Sequence, residues 1–191
     1  TFTPVDLAHA DEFSKLSLQN TFDNRYTPIH TFALNFLKKV NRQTTYNNLT
    51  PTQVFIGLHT NFKYWFNQPF IYVTGDSTES LIGDVQNHRA RMSDFYSDKG
   101  QYKLATNMDI ALSKDASRRS VFEKNIIKTD ERFNIMRGVV MGYYLKIYPI
   151  KGDPSNLWYA PASDLSVLTG GDSTFISGIT SWHIQAVNNS T

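Results

Sequence analysis

One apolar stripe constrains this chain more than any other feature. Phe122, Ile126, Phe133, Met136, Val140 and Tyr144 recur at helical spacing. At about 100° per residue they fall within a sector of about 80°. A helix with such a stripe is stable only when the stripe is buried against other elements. Lys124 and Lys128 fall on the opposite side. Ser120 and Glu123 have the spacing of a capping box, which starts the helix. Residues 138–145 are apolar nearly all round, as expected of a central helix packed on several sides. Gly138 and Gly142 stand four apart, which predicts the close approach of another element. The run is far shorter than the ~20 apolar residues of a bilayer span, so a membrane GxxxG motif is rejected. The expected fold is mainly α with a few short strands (α+β), its helices packed around a long central helix near residues 118–145.

The rest of the chain reads as shorter elements. Asp6 can cap a helix over residues 7–17, with Leu7, Ala10, Phe13 and Leu16 inward. Asp23-Asn24 marks the turn of a small hairpin. Thr31 starts a helix whose apolar positions are Ala33, Phe36, Leu37 and Val40. Thr50-Pro51-Thr52-Gln53 combines an N-cap, a proline at N1 and a capping-box Gln. That helix is expected to reach Phe66, with Phe55, Leu58, Phe62 and Trp65 inside. Phe70-Ile71-Tyr72-Val73 reads as a strand and Gly75-Asp76-Ser77-Thr78 as a turn. Helices are expected near residues 91–96 and 104–113. Tyr148-Pro149 must lie outside any helix. Residues 158–164 read as a loop leading to a helix start, Gly170-Gly171-Asp172 as a break, and Trp182, Ile184 and Ala186 as a strand.

The length of 191 residues and an apolar fraction of 40% suit a single soluble domain with a sizeable core. Cysteine is absent. That excludes a disulfide framework, a thiolate metal site, a Cys nucleophile and covalent haem attachment to this chain. The polar opening Thr1-Phe2-Thr3-Pro4 does not read as a signal peptide. The formal net charge is +2, but it is unevenly spread: residues 88–151 hold 13 basic and 7 acidic side chains. Such an excess suits phosphate headgroups, haem propionates or an acidic partner, or else the solvated face of a long helix. Without a Lys/Arg run, nucleic acid is not an expected partner.

Chemistry-bearing motifs are few. None of the five histidines has metal-ligand spacing, so no bound metal is expected. No nucleophile elbow, phosphate loop or dinucleotide fingerprint is present, and no catalytic residue is assigned. His59 flanks the aromatic positions Phe55 and Phe62, where an imidazole would serve as an axial haem ligand. The alternative is a core-edge histidine bonded to a carbonyl. His88, in Asn87-His88-Arg89-Ala90-Arg91, is the second haem candidate. Asp130 and Arg132 are expected to anchor the long helix to neighbouring segments. Their divergence on the helix does not suit a catalytic pair with Glu131.

An ordered set of short pieces carries a family resemblance. His9-Ala10 is followed by Phe13, Leu16 and Gln19, then by Arg25, Pro28-Ile29 and Thr31. Leu37-Lys38-Lys39-Val40 and Thr50-Pro51-Thr52-Gln53-Val54 with Gly57 come next. Asp130-Glu131-Arg132 with Asn134-Ile135, Lys146-Ile147 with Pro149, Asp153-Pro154, and Trp158 with Pro161 complete the set. Over roughly residues 8–162 the chain resembles the extracytoplasmic region of system II cytochrome c biogenesis proteins, the ResB/CcsA-type fused haem transporter and cytochrome c synthetase. It departs from the family at Asn24, where a glycine is usual. The family's tryptophan-rich haem-handling motif and transmembrane histidines are also absent, so none of its catalytic residues carries over.

The resemblance implies a soluble domain at the periplasmic face of the bacterial inner membrane, cut from a larger membrane protein. Its part in delivering haem and attaching it to apocytochrome c would be accessory and non-catalytic. The implied partners are apocytochrome c and the membrane-embedded part of the same system. No cofactor is expected in the isolated domain, whereas haem would pass through the parent protein. The alternative is an extracellular peptide- or glycan-binding module using aromatics near Trp158 and Trp182.

Overall fold

The computed structural model describes residues 2–149 and 154–160. The fold is mainly helical with short strands. The chain forms two compact units: residues 1–35, 44–62 and 138–191 make the first, and residues 36–43 and 63–137 the second. The readings for residues 161–191, including Gly170-Gly171-Asp172 and the Trp182 strand, lie outside the described residues.

In the first unit, Asp6 caps α1 (Leu7–Ser14) by accepting the His9 N–H at 2.9 Å. This helix is shorter than the expected 7–17 and buries only Ala10; Leu7 and Leu16 are exposed. Strands β1 (Ser17–Gln19) and β2 (Tyr26–Pro28) pair antiparallel with Leu18 opposite Thr27. Asn24 in their turn has φ +54°, a left-handed conformation that Asn tolerates better than most residues. Helix α2 (Ile29–Val40) begins two residues before Thr31.

Helix α3 (Pro51–Thr60) opens with the expected capping box. Thr50 Oγ1 accepts the Gln53 N–H at 3.3 Å, and Gln53 Oε1 accepts the Thr50 N–H at 3.0 Å. Gln53 Nε2 also donates to the Val5 carbonyl at 2.8 Å, tying down the N-terminal segment. The helix does not run through to Phe66. Asn61 leaves helical geometry at φ −139°, ψ 65°, and a separate short α4 (Phe62–Phe66) follows. Phe62 is consequently 49% exposed rather than part of the inner face. Phe32 centres the aromatic core of this unit, with ring centroids 5.6 Å from Phe55, 6.1 Å from Tyr144 and 6.5 Å from Phe22.

The second unit is built on α7 (Val121–Val140) up to Arg137. Ser120 starts the helix as expected: its Oγ accepts the Glu123 N–H at 3.2 Å, while Glu123 Oε2 accepts the Ser120 N–H at 2.8 Å. Lys114 pairs with the other Glu123 oxygen. The Lys114 bond, reinforced by the Ser120 N–H, holds the Glu123 carboxyl below the usual glutamate range. Phe133 lies fully inside an aromatic cluster, 4.7 Å from Phe95, 5.0 Å from Tyr102 and 5.9 Å from Tyr96. Strands β3 (Ile71–Tyr72) and β4 (Arg89–Ala90) form an antiparallel pair. Helices α5 (Asp76–Ile82) and α6 (Ala105–Leu112) complete the unit. The expected turn at residues 75–78 is in fact the start of α5, with Asp76 and Glu79 in its first turn, where carboxylates suit the helix dipole.

The long helix ends at Val140, not near residue 145. Gly142 takes φ +78°, its N–H reaches the Val139 carbonyl at 2.9 Å, and the Tyr143 N–H reaches the Gly138 carbonyl at 3.0 Å. Those two bonds define a Schellman C-cap, which needs a left-handed residue at this position. The reversed chain lays the Tyr144 ring on Gly138, where an added Cβ would stand 2.5 Å from Tyr144 Cε2. The two glycines therefore serve the end of the helix itself, and the element approaching Gly138 is the helix's own continuation.

Candidate functional site: an arginine cluster around Tyr72

Three segments of the second unit converge on the Tyr72 ring. Tyr72 lies on β3 directly opposite Arg89 on β4. Asn87 and His88 precede that arginine with φ +49° and +60°, and Gln86 pairs back to Arg89. Positive φ at both central residues gives a type I′ turn, the connection that matches strand twist. Arg42 follows α2 at the left-handed position normally given to glycine, with φ +67°. Arg132 comes from α7. The three guanidinium carbons lie 5.6 Å (Arg42), 5.8 Å (Arg89) and 5.3 Å (Arg132) from the centroid of the one ring.

The arginines differ in how they are held. Arg132 is buried, 6% exposed. It donates Nε to the Lys39 carbonyl at 3.1 Å, and Nη1 to the Tyr72 carbonyl at 3.1 Å and to Thr74 Oγ1 at 2.6 Å. The expected anchoring role of Arg132 is thus met, and Asp130 does likewise by accepting the Tyr102 hydroxyl at 2.8 Å. Arg89 donates to the carbonyls of Asn87 at 2.9 Å and Asn41 at 3.0 Å, while its buried Nε has no hydrogen-bond partner among the described residues. The Asn41 side chain donates to the Phe70 carbonyl at 2.7 Å, and its own buried Oδ1 likewise has no partner among the described residues. Arg42 is exposed and makes no hydrogen bond or ion pair among the described residues.

The cluster carries unbalanced charge. Among the described residues none of the three arginines has a carboxylate within 4 Å. The nearby acids are engaged elsewhere: Glu131 with Lys39 at 2.8 Å, and Glu79 with His88 Nδ1 at 2.6 Å. Burial, and then the neighbouring Arg42, lower the Arg132 pKa. Like charges gathered on one ring repel one another, and more strongly where water is excluded. Attraction to the face of the Tyr72 ring offsets part of that.

The two histidines singled out from sequence fall in different units. His59, on α3 in the first unit, is half-buried; its Nδ1 lies 2.7 Å from the Phe55 carbonyl and its ring meets the Phe55 ring edge-on at 4.5 Å. Its Nε2 is buried. His88, in the second unit, is exposed, with its ring 6.0 Å from that of Tyr72 and its Nδ1 on Glu79. A carboxylate on one imidazole nitrogen orients the ring and leaves the other for ligation. Among the described residues, no group of three or more His, Asp or Glu is arranged to hold a metal ion. Trp158, on β6 (Trp158–Tyr159), which pairs with β5 (Tyr148–Pro149), is half-buried. Its ring sits 4.8 Å from Tyr26, and its backbone N–H donates to Gln19 Oε1 at 2.8 Å. Gln19 Nε2 in turn donates to the Asn156 carbonyl at 3.2 Å. Trp182 lies outside the described residues.

The chain is similar to Protein NrfI of Wolinella succinogenes. The two are 30% identical over 146 residues, which make up 76% of this chain and 16% of that protein. The chain thus spans well under a fifth of its relative. The similarity supports the broad setting of cytochrome c biogenesis. No protein-family model matches the chain. Among the described residues no helix is long and apolar enough to cross a membrane.

Sequence reasoning did not find Arg42, Arg89 and Tyr72 as a group. The available signal was Arg42 itself: a helix ending at Val40 with neither glycine nor asparagine at the left-handed position makes the residue found there worth asking about.

Proposed function

We propose that this chain is an accessory extracytoplasmic segment of a cytochrome c maturation factor, without catalytic residues of its own. The similarity to Protein NrfI over most of the chain carries this reading. The segment faces the periplasm beside membrane-embedded parts of the same protein, and its client is apocytochrome c. Haem is cargo here, joined to the client elsewhere in the parent protein. The decisive test uses a bacterium whose holocytochrome c depends on the gene encoding this chain. Replacing residues 8–162 in frame with an unrelated soluble domain should abolish haem-stained cytochrome c while the parent protein still accumulates in the membrane. Normal holocytochrome levels would refute the reading.

If the segment itself touches the cargo, His59 and His88 are its candidate axial ligands. His88 is accessible and oriented by Glu79, whereas His59 would have to uncover a buried Nε2. Haemin added at micromolar concentration should then shift its Soret band, and His88→Ala or His59→Ala should remove the shift. No shift with the wild-type chain means that the segment does not ligate haem.

A further inference from the structure

We infer that the Arg42, Arg89 and Arg132 cluster around Tyr72 is a binding site for a phosphate oxyanion, either free phosphate or the phosphate of a lipid headgroup. This inference is independent of the maturation reading. Three observations carry it. First, three guanidinium groups converge on one ring without a carboxylate on any of them. Structural arginines in folded proteins are usually matched by acids. Here the nearby acids Glu131 and Glu79 are committed to Lys39 and His88.

Second, the donors divide into a fixed frame and a free front. Arg132 bonds two backbone carbonyls and Thr74 Oγ1, and Arg89 bonds two backbone carbonyls, which holds those two cations in place. Among the donors with no partner in the described residues are the buried Nε of Arg89 and the whole exposed fork of Arg42. A planar fork of N–H donors matches the oxygen spacing of a phosphate. Third, Arg42 occupies a backbone conformation that costs a non-glycine residue stability. Strain kept at a position with no internal bond to repay it points to a role toward a ligand.

A phosphate dianion fits this charge better than a single carboxylate does. The cluster holds three cations, while Lys39 is already paired with Glu131 and His88 Nδ1 lies on Glu79. The exposed Arg42 fork would take the oxygens, while Arg89 and Arg132 contribute their charge.

The test titrates inorganic phosphate into the full 191-residue chain at constant ionic strength, following amide and arginine Nε–H resonances. Saturable shifts confined to residues 41–43, 72–74 and 87–90 are expected. Arg42→Gln should weaken binding about tenfold or more, the loss expected for one charge-assisted contact. It should shift the melting temperature by no more than a few degrees, because loss of the Arg42 contact with the Tyr72 ring and relief of its repulsion with Arg132 act in opposite directions. Lys124→Gln, on the exposed face of α7, is the control and should bind as wild type. If Arg42→Gln disturbs the fold, Arg42→Lys replaces it; it keeps the charge and should bind more weakly through loss of the fork. Sedimentation with phosphatidylglycerol vesicles, against phosphatidylcholine vesicles, separates the sources. Arg42-dependent vesicle binding that free phosphate competes away identifies a headgroup site. Phosphate binding without vesicle binding identifies a free-phosphate site. No saturable phosphate response with no vesicle binding, or binding that Arg42→Gln leaves unchanged, overturns the proposal.

Discussion

Arg132→Ala should destabilise the second unit by about 3 kcal/mol. The substitution leaves three part-buried acceptors without their donor: the Lys39 carbonyl, the Tyr72 carbonyl and Thr74 Oγ1. A fully buried acceptor left unsatisfied costs about 1–3 kcal/mol; these three are part-buried and not additive, so their sum stays near the cost of one or two. Removing the charge also relieves repulsion with Arg42. The lost bonds prevail, because Arg132 is buried and its donors are fixed, whereas Arg42 is exposed and its charge is screened. Arg132→Lys should recover less than half, since an ammonium cannot span the same three acceptors. The measurement is urea unfolding followed on the amide resonances of α7. At a slope of about 2 kcal/mol/M the midpoint falls by about 1.5 M for the alanine variant. A loss below about 1 kcal/mol would mean that water replaces the guanidinium freely and that the anchor is not structural.

The second large effect is expected at Phe133. Its side chain fills the centre of the cluster formed by Phe95, Tyr96 and Tyr102. Phe133→Ala removes a fully buried ring and opens a cavity that rigid aromatic walls collapse into poorly, a cost of about 3–5 kcal/mol. The ring-edge contacts add specificity beyond area. Phe133→Leu should cost roughly half as much, because most of the volume survives. The neighbouring Tyr102 provides an internal check. Burial first, and its bond to Asp130 second, raise the Tyr102 pKa far above the ordinary tyrosine value. Water entering beside the shortened residue 133 should bring Tyr102 ionisation down toward that value, read by ultraviolet absorbance during alkaline titration. If the alanine variant unfolds at its normal midpoint with Tyr102 unmoved, the cluster is not the core of its unit.

Helix starts marked by a side-chain cap were legible in this sequence because a cap is settled by residues three apart; those of α2 and α5 were not. Asp6, Thr50 with Gln53, and Ser120 with Glu123 all cap as their spacing says. Helix ends were not. Gly138 and Gly142 have the spacing of interior small residues, and only the reversal that brings Tyr144 over Gly138 shows Gly142 to be a C-cap. Phe62 keeps the period of α3, yet Asn61 breaks the helix and turns it outward. Asn87 and His88 make a type I′ turn without the glycine that would advertise it. The arginine cluster was illegible for a different reason. Its members come from three distant segments, each ordinary by itself, and only the register of β3 on β4 and the end of α2 bring them to one ring. The histidines drew notice because imidazole chemistry shows in single residues; convergence of like charges does not.

The interrupted layout of the two units bears on how the chain can be made. All the residues of the second unit have emerged once synthesis reaches Arg137, whereas the first still lacks Tyr144 and the strands at residues 148–149 and 158–159. Phe32 and Phe55 must therefore wait, one aromatic partner short, until more than seventy further residues have followed Phe55. The entropic cost of so long a closure grows only slowly with length, but its delay does not shrink. The half-built unit is the part of the nascent chain most in need of protection from wrong association.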